Sequence, residues 1–167
     1  MAKKKKDIHT ISVKVANKPG VLLRCAQVFA RRGYNIDSLV VSAGVNPKYS
    51  RMTITAQGDP ETLEQIIKQT AKLVDVLHCE EHTGADSVTR EVALLKLKSS
   101  AQIKSAITKH KRKYGLKIVD EGEGAIIIEQ DGTTEELDEF EELMKKHGII
   151  EMVRSGKLVM ALGKEPT

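Results

Sequence analysis

There is no tryptophan in this chain of 167 residues, and only two phenylalanines and three tyrosines. So few rings exclude base stacking as a main binding device and leave the core to Val, Ile, Leu and Ala. Cysteine is equally scarce. Cys25 and Cys79 cannot frame a disulfide-stapled fold, and no secretory signal precedes them, so the reducing cytosol is the expected compartment. No apolar run approaches the ~18 residues that a membrane helix needs, so no membrane association is expected. What is present is ordinary for a globular chain: 40% hydrophobic and 30% charged residues, which excludes disorder and collagen. The net charge of +4 is no greater than the run Lys3-Lys4-Lys5-Lys6, read as a solvated tail. Without that tail the body is nearly neutral, and no nucleic-acid partner is expected.

The hydrophobic pattern repeats one order of elements twice. Ile11, Val13 and Val15 alternate with polar neighbours as a half-buried strand. After Pro19-Gly20, Leu22, Cys25, Ala26 and Phe29 mark one helix face, and Gly33 ends it. Strands follow at 36–41 and around Met52, Ile54 and Ala56. Asp59-Pro60-Glu61 starts a second helix, with an acid cap, Pro in the first turn and an acid at the dipole. A strand at 74–79 closes the set. A polar stretch, 83–90, reads as a linker between domains at 7–82 and 91–167. The second set runs strand 92–97, a helix through Ile103 and Ile107, strands 116–119 and 125–128, a helix opened by a Thr133/Glu136 capping box, and a strand at 149–153. One more strand is expected at 158–162. The fold class is therefore α+β, two consecutive ferredoxin-like βαββαβ domains. Each has an antiparallel sheet with both helices on one face, the other face solvated or covered by a partner.

Chemistry is harder to find. Gly156-Lys157 is a bare dipeptide, and Gly122-x-Gly124 neither has a third glycine nor opens a helix, so no phosphate loop is expected. No Ser/His/acid spacing suggests a catalytic residue. The strands that would carry stacking aromatics in an RNA-recognition domain carry Ser12, Lys14, Thr53 and Thr55. His78-Cys79-Glu80-Glu81-His82 gathers ligand-type side chains, but a zinc site wants three or four converging ligands on dedicated turns, so no metal is expected.

The informative segment is Asn17-Lys18-Pro19-Gly20-Val21-Leu22, a strand-to-helix junction. Free N–H groups and the dipole of a helix start favour a carboxylate. Gly20 permits close approach, and the Asn17 amide can donate and accept, which suits a zwitterion. The same residues also read as a tight turn with Asn17 as helix cap.

An Asn-x-Pro-Gly-x-Leu junction inside a βαββαβ unit resembles the ACT domain, a sensor of free amino acids. With Arg31-Arg32-Gly33-Tyr34-Asn35-Ile36-Asp37-Ser38-Leu39, Ser50-Arg51-Met52-Thr53-Ile54, Lys72-Leu73-Val74-Asp75-Val76 and, later, Glu151-Met152-Val153-Arg154-Ser155-Gly156, the chain is similar to the small regulatory subunits of acetolactate synthase. That resemblance implies a chain with no catalytic residues and no cofactor of its own; thiamine diphosphate, magnesium and FAD would belong to the catalytic large subunit, its partner. It implies a homodimer that activates the large subunit and confers feedback inhibition by valine, in branched-chain amino acid biosynthesis. The valine site would lie between two copies, with Asn17, Gly20, Val21 and Leu22 of one facing Asn35 and Ile36 of the other. The alternative is an ACT-type regulator of a different biosynthetic enzyme.

Overall fold

The computed structural model describes residues 8–82 and 85–167; the Lys3–Lys6 run and the Thr83-Gly84 part of the expected linker lie outside them. The first set comprises β1 (Ile8–Ala16), α1 (Val21–Arg31), β2 (Ile36–Ala43), β3 (Tyr49–Gln57), α2 (Pro60–Ala71) and β4 (Val76–Glu81). The second comprises β5 (Ser87–Lys98), α3 (Ala101–Tyr114), β6 (Lys117–Gly122), β7 (Ala125–Gly132), α4 (Thr134–Lys145), β8 (Ile149–Arg154) and β9 (Leu158–Ala161). The sheets have the orders β2-β3-β1-β4 and β6-β7-β5-β8, with β9 on β5. The pairings with registers are all antiparallel. These are the two ferredoxin-like units that the periodicity calls for.

In the first unit, alternation sends Ile11, Val13 and Val15 of β1, with Met52, Ile54 and Ala56 of β3, to one face. There they join Val21, Cys25 and Phe29 of α1 and Leu63 and Ile66 of α2 in a single buried cluster. In the second unit the corresponding cluster contains Ala93, Leu95 and Leu97 with Ile103, Ile107, Leu137, Phe140 and Met144. Tyr114 and Phe140 meet there with ring centroids 5.2 Å apart.

The helix starts follow their local chemistry. Asp59 caps α2 by accepting from the Thr62 N–H at 2.8 Å, and Thr133 and Glu136 form the reciprocal box on α4. Tyr34, just past α1, reaches back to donate to Asp59 Oδ2 at 2.7 Å, and its ring lies where a Cβ on Gly58 would stand, 1.9 Å from that atom. The Tyr34 hydroxyl, then the Thr62 N–H, hold the Asp59 carboxyl down at about 2. Its folded value lies below its unfolded one, so the stabilisation is complete above about pH 4 and is lost as pH falls through about 2. Tyr34→Phe should therefore lower the melting temperature by an amount that is constant above pH ~4 and shrinks toward pH 2. Thermal melts of both proteins across that range check this; a gap that does not narrow would contradict it.

Two boundaries differ from expectation. One unit runs to Thr89 and takes in Lys157–Thr167; the other is Arg90–Gly156. The expected linker is thus strand from Ser87 on, because the alternation of β5 extends back through Val88, and the Leu162 N–H donates to the Asp86 carbonyl at 2.8 Å. The last eleven residues, expected to belong to the second domain, go with the first. Arg51 of β3 donates to the main-chain oxygen of Thr167 at 2.9 Å. The far face of the first sheet is not solvated either: Thr10, Ser12, Thr53 and Thr55 are all buried. Its polar alternation reads as a wet surface, yet Ser38 and Thr55 satisfy each other at 2.6 Å.

Candidate functional site

β1 ends at Ala16, whose N–H donates to the Asp75 carbonyl at 2.8 Å. The chain then turns. The Asn17 N–H donates to the Lys48 carbonyl at 2.8 Å, and its side-chain amide donates to the Pro47 carbonyl at 3.0 Å. Asn17 is therefore tied to the β2–β3 loop and does not cap α1. The cap position belongs to Gly20, with φ 82° and ψ −11° and no side-chain hydrogen bond. This left-handed conformation is the one glycine adopts at little cost. With no capping side chain, helix geometry leaves the Leu22 and Leu23 N–H groups without intrahelical acceptors. The turn is exposed from Asn17 to Gly20.

The expected site residues divide by what they present. Val21 is buried and gives the turn only its backbone, whereas Leu22 is 41% exposed. Arg24, one turn into the helix, forms an ion pair with Asp75, and Lys18 lies 3.6 Å from the same carboxylate. Lys18, Arg24 and Asp75 thus set the charge at the turn. None was singled out from the sequence, although Arg24 stands at i+4 from Gly20 and the Arg24 N–H donates to the Gly20 carbonyl at 3.1 Å.

Asn35 and Ile36 are elsewhere. Arg32 caps α1, Gly33 with φ 70° turns the chain, and β2 begins at Ile36. Ile36 is level with Ala56, which is level with His9, whereas the Asn17 turn lies beyond Ala16, at the other end of β1. Eight residues of strand at ~3.3 Å each separate the levels by about 26 Å. Asn17, Gly20, Val21 and Leu22 are brought together; Asn35 and Ile36 are not brought to them within one protomer.

Burial pushes the Cys25 thiol up, and burial with the neighbouring Cys25 pushes Cys79 up to about 12, so neither is a nucleophile near neutrality. His78 is bonded to Glu80 at 3.1 Å, while the His82 ring is buried 3.7 Å from Asp86. Among the described residues no group of three or more His, Cys, Asp or Glu could hold a metal ion. No helix among them is long and apolar enough to cross a membrane.

Comparison with known proteins gives the site a context. Residues 11–78 match the family profile described as the AHAS small subunit-like ACT domain, and residues 90–163 match that of the small subunit of acetolactate synthase. A protein of Archaeoglobus fulgidus called "Probable acetolactate synthase small subunit" is 40% identical over 157 residues, covering 94% of this chain and 98% of its own. The acetolactate synthase small subunit of Mycolicibacterium smegmatis is 39% identical over 155 residues, covering 93% of this chain and 91% of its own. The crystal structure of the acetolactate synthase small subunit from Thermotoga maritima superposes with a TM-score of 0.83 at 34% identity, covering 95% of this chain and 99% of that one.

Proposed function

The chain belongs to the acetolactate synthase small-subunit family, and on that premise we propose that it is the cytoplasmic regulatory subunit of a thiamine-diphosphate-dependent acetolactate synthase. It raises the activity of the catalytic large subunit and makes it sensitive to valine, the end product of a branched-chain pathway. Thiamine diphosphate, magnesium and FAD reside on the large subunit.

The observation that carries the effector site is the placement of its two walls at opposite ends of one sheet. A second copy removes that separation. β2 is an edge strand, eight residues long, with Ile36, Leu39, Val40 and Val41 against a single acid, Asp37. The other edge, β4, carries His78, Glu80 and Glu81, the kind of charges that discourage pairing. A two-fold axis pairing β2 with β2 runs the strands antiparallel. The start of the partner's β2 then comes beside Ala43, the end at which the Asn17 turn stands. Asn35 and Ile36 of one copy so approach Gly20 and Leu22 of the other. The Leu22 and Leu23 amides face the valine carboxylate, amide oxygens of Asn17 and Asn35 accept from its ammonium group, and Leu22 and Ile36 take the isopropyl group.

Sedimentation equilibrium with calorimetry of the common amino acids tests this on the isolated chain. A dimer that binds valine, weakened when Asn35→Ala removes one polar partner, is expected. A micromolar monomer, or selectivity for an unrelated amino acid, would contradict it; the second result points to a regulator of another pathway.

A further inference from the structure

In the second unit the cations of the two helices are not treated alike. Lys104 pairs with Glu121, Lys113 with Glu139, and Lys145 with Glu141 and Glu142. Lys109 of α3 and Lys146, just past α4, pair with no carboxylate among the described residues, although α4 is rich in acids. Both lysines border one groove of about 510 Å³, wholly within the second unit. Ser105, Lys109 and His110 line it from α3, and Lys146 and His147 from the end of α4; no acid lines it.

Local structure fixes these positions. Gln102, Ser105, Ala106 and Lys109 follow at i, i+3, i+4 and i+7, one stripe of α3 beside the buried stripe of Ile103 and Ile107. Ala106, packed against the core, is too small to fill the groove. Lys146 and His147 are held by the close of α4. The His147 N–H donates to the Met144 carbonyl at 2.9 Å, the Gly148 N–H donates to the Lys145 carbonyl at 3.2 Å, and Gly148 turns with φ 77°. The His110 ring rests against Tyr114, which is itself buried, with centroids 5.9 Å apart.

Two unneutralised ammonium groups on different elements of one concavity repel each other and attract a multiply charged anion. An imidazole keeps at least one N–H donor in either charge state, so both rings can bond an oxyanion. The wall carries no arginine. The planar fork of arginine matches a carboxylate, whereas the lysine ammonium is a point charge that suits the tetrahedral phosphate group. The groove is roomier than a phosphate group alone needs, and Ala106 leaves space for the rest of an ester.

We propose that this groove binds the phosphate group of a small phosphomonoester, with Lys109 and Lys146 supplying the charge and His110 and His147 donating to its oxygens. It is distinct from the Gly20 turn, which belongs to the first unit, and does not depend on the effector reading of that turn.

The test is calorimetric titration of the full chain with inorganic phosphate and, separately, malonate at constant ionic strength, paired with thermal melts. Saturable binding of phosphate, tighter than that of malonate and weakened at least about tenfold by Lys109→Gln and by Lys146→Gln, is expected. Neither lysine has an ion-pair partner to lose, so both variants should melt like the wild type without phosphate and should lack the upward shift that phosphate gives the wild type. Lys111→Gln removes the same charge from the opposite side of α3 and should bind phosphate like the wild type. Absence of saturable heat with phosphate, unchanged binding by Lys109→Gln and Lys146→Gln, or malonate binding as tight as phosphate would overturn the proposal. So would equal weakening by Lys111→Gln, because it would reduce the effect to general charge screening.

Discussion

Gly20→Asp is expected to abolish the response to valine while the chain still folds. Gly20 holds φ 82° at the cap of α1, and a Cβ there would stand 3.1 Å from Arg24 Nη1. Two effects add. A non-glycine residue in the left-handed region costs about 1–3 kcal/mol, with Asp toward the low end because its short polar chain tolerates that conformation. That part lowers the melting temperature. The new carboxylate also stands where the ligand carboxylate must bind. At ~4 Å and an effective dielectric near 20 the repulsion is about 4 kcal/mol. Arg24, already paired with Asp75, neutralises part of it. Half the repulsion still weakens valine roughly 30-fold. Gly20→Ala separates the terms, since it carries the strain without the charge. It should melt lower than the wild type yet lose much less valine affinity than Gly20→Asp. Calorimetry with valine and thermal melts on the three proteins read both quantities. Wild-type valine affinity in Gly20→Asp would place the effector elsewhere.

The largest stability effect is expected in the second unit, at Arg154→Ala. Glu91 at the start of that unit is only 6% exposed. Its carboxylate accepts from Arg154 Nη2 at 2.8 Å and Nε at 3.3 Å, and from the Thr134 hydroxyl in the first turn of α4. Arg154 Nη1 continues to Asp138 Oδ1 at 2.5 Å. One guanidinium thus ties β8, β5 and α4. Removing it strands a buried carboxylate, which costs about 3–5 kcal/mol for a fully buried pair; the partly exposed Arg154 and the remaining Thr134 bond place this case near 3. A fall in melting temperature of roughly 10 °C or more follows for a unit of this size. Arg154→Lys keeps the charge but loses the fork and should fall between. The double change Glu91→Leu with Arg154→Met removes both charges and should recover much of the loss. If Arg154→Ala melts like the wild type, the Glu91 carboxylate is not held by this pair.

Much of this architecture is legible in the residues because its signals are local. Asp59-Pro60 and the Thr133/Glu136 box announce their helices within four residues. The alternation at Ile11–Val15 and Met52–Ala56 fixes two central strands and their inward faces. What the sequence hides is set by distant pairing. Nothing near Leu162 says that its N–H meets Asp86, so the return of the last segment to the first unit could not be read. The burial of Ser12, Thr53 and Thr55 is likewise invisible in a polar alternation. At the turn, Gly20 declares its role through Pro19-Gly20. Asn17 does not: its amide serves the Pro47 carbonyl thirty residues away. Arg24 and Asp75 become neighbours only once β4 lies beside β1.

The measurement that bears most directly on the regulatory role is acetolactate formation by the catalytic large subunit from the same organism. It is assayed alone, with this chain, and with this chain plus valine. This chain alone should form no acetolactate from pyruvate with thiamine diphosphate and magnesium present, should raise the large subunit's rate when added, and should make that rate fall as valine is titrated in. Acetolactate produced by this chain alone, or a large subunit whose rate and valine response are unchanged by adding it, would contradict the assignment.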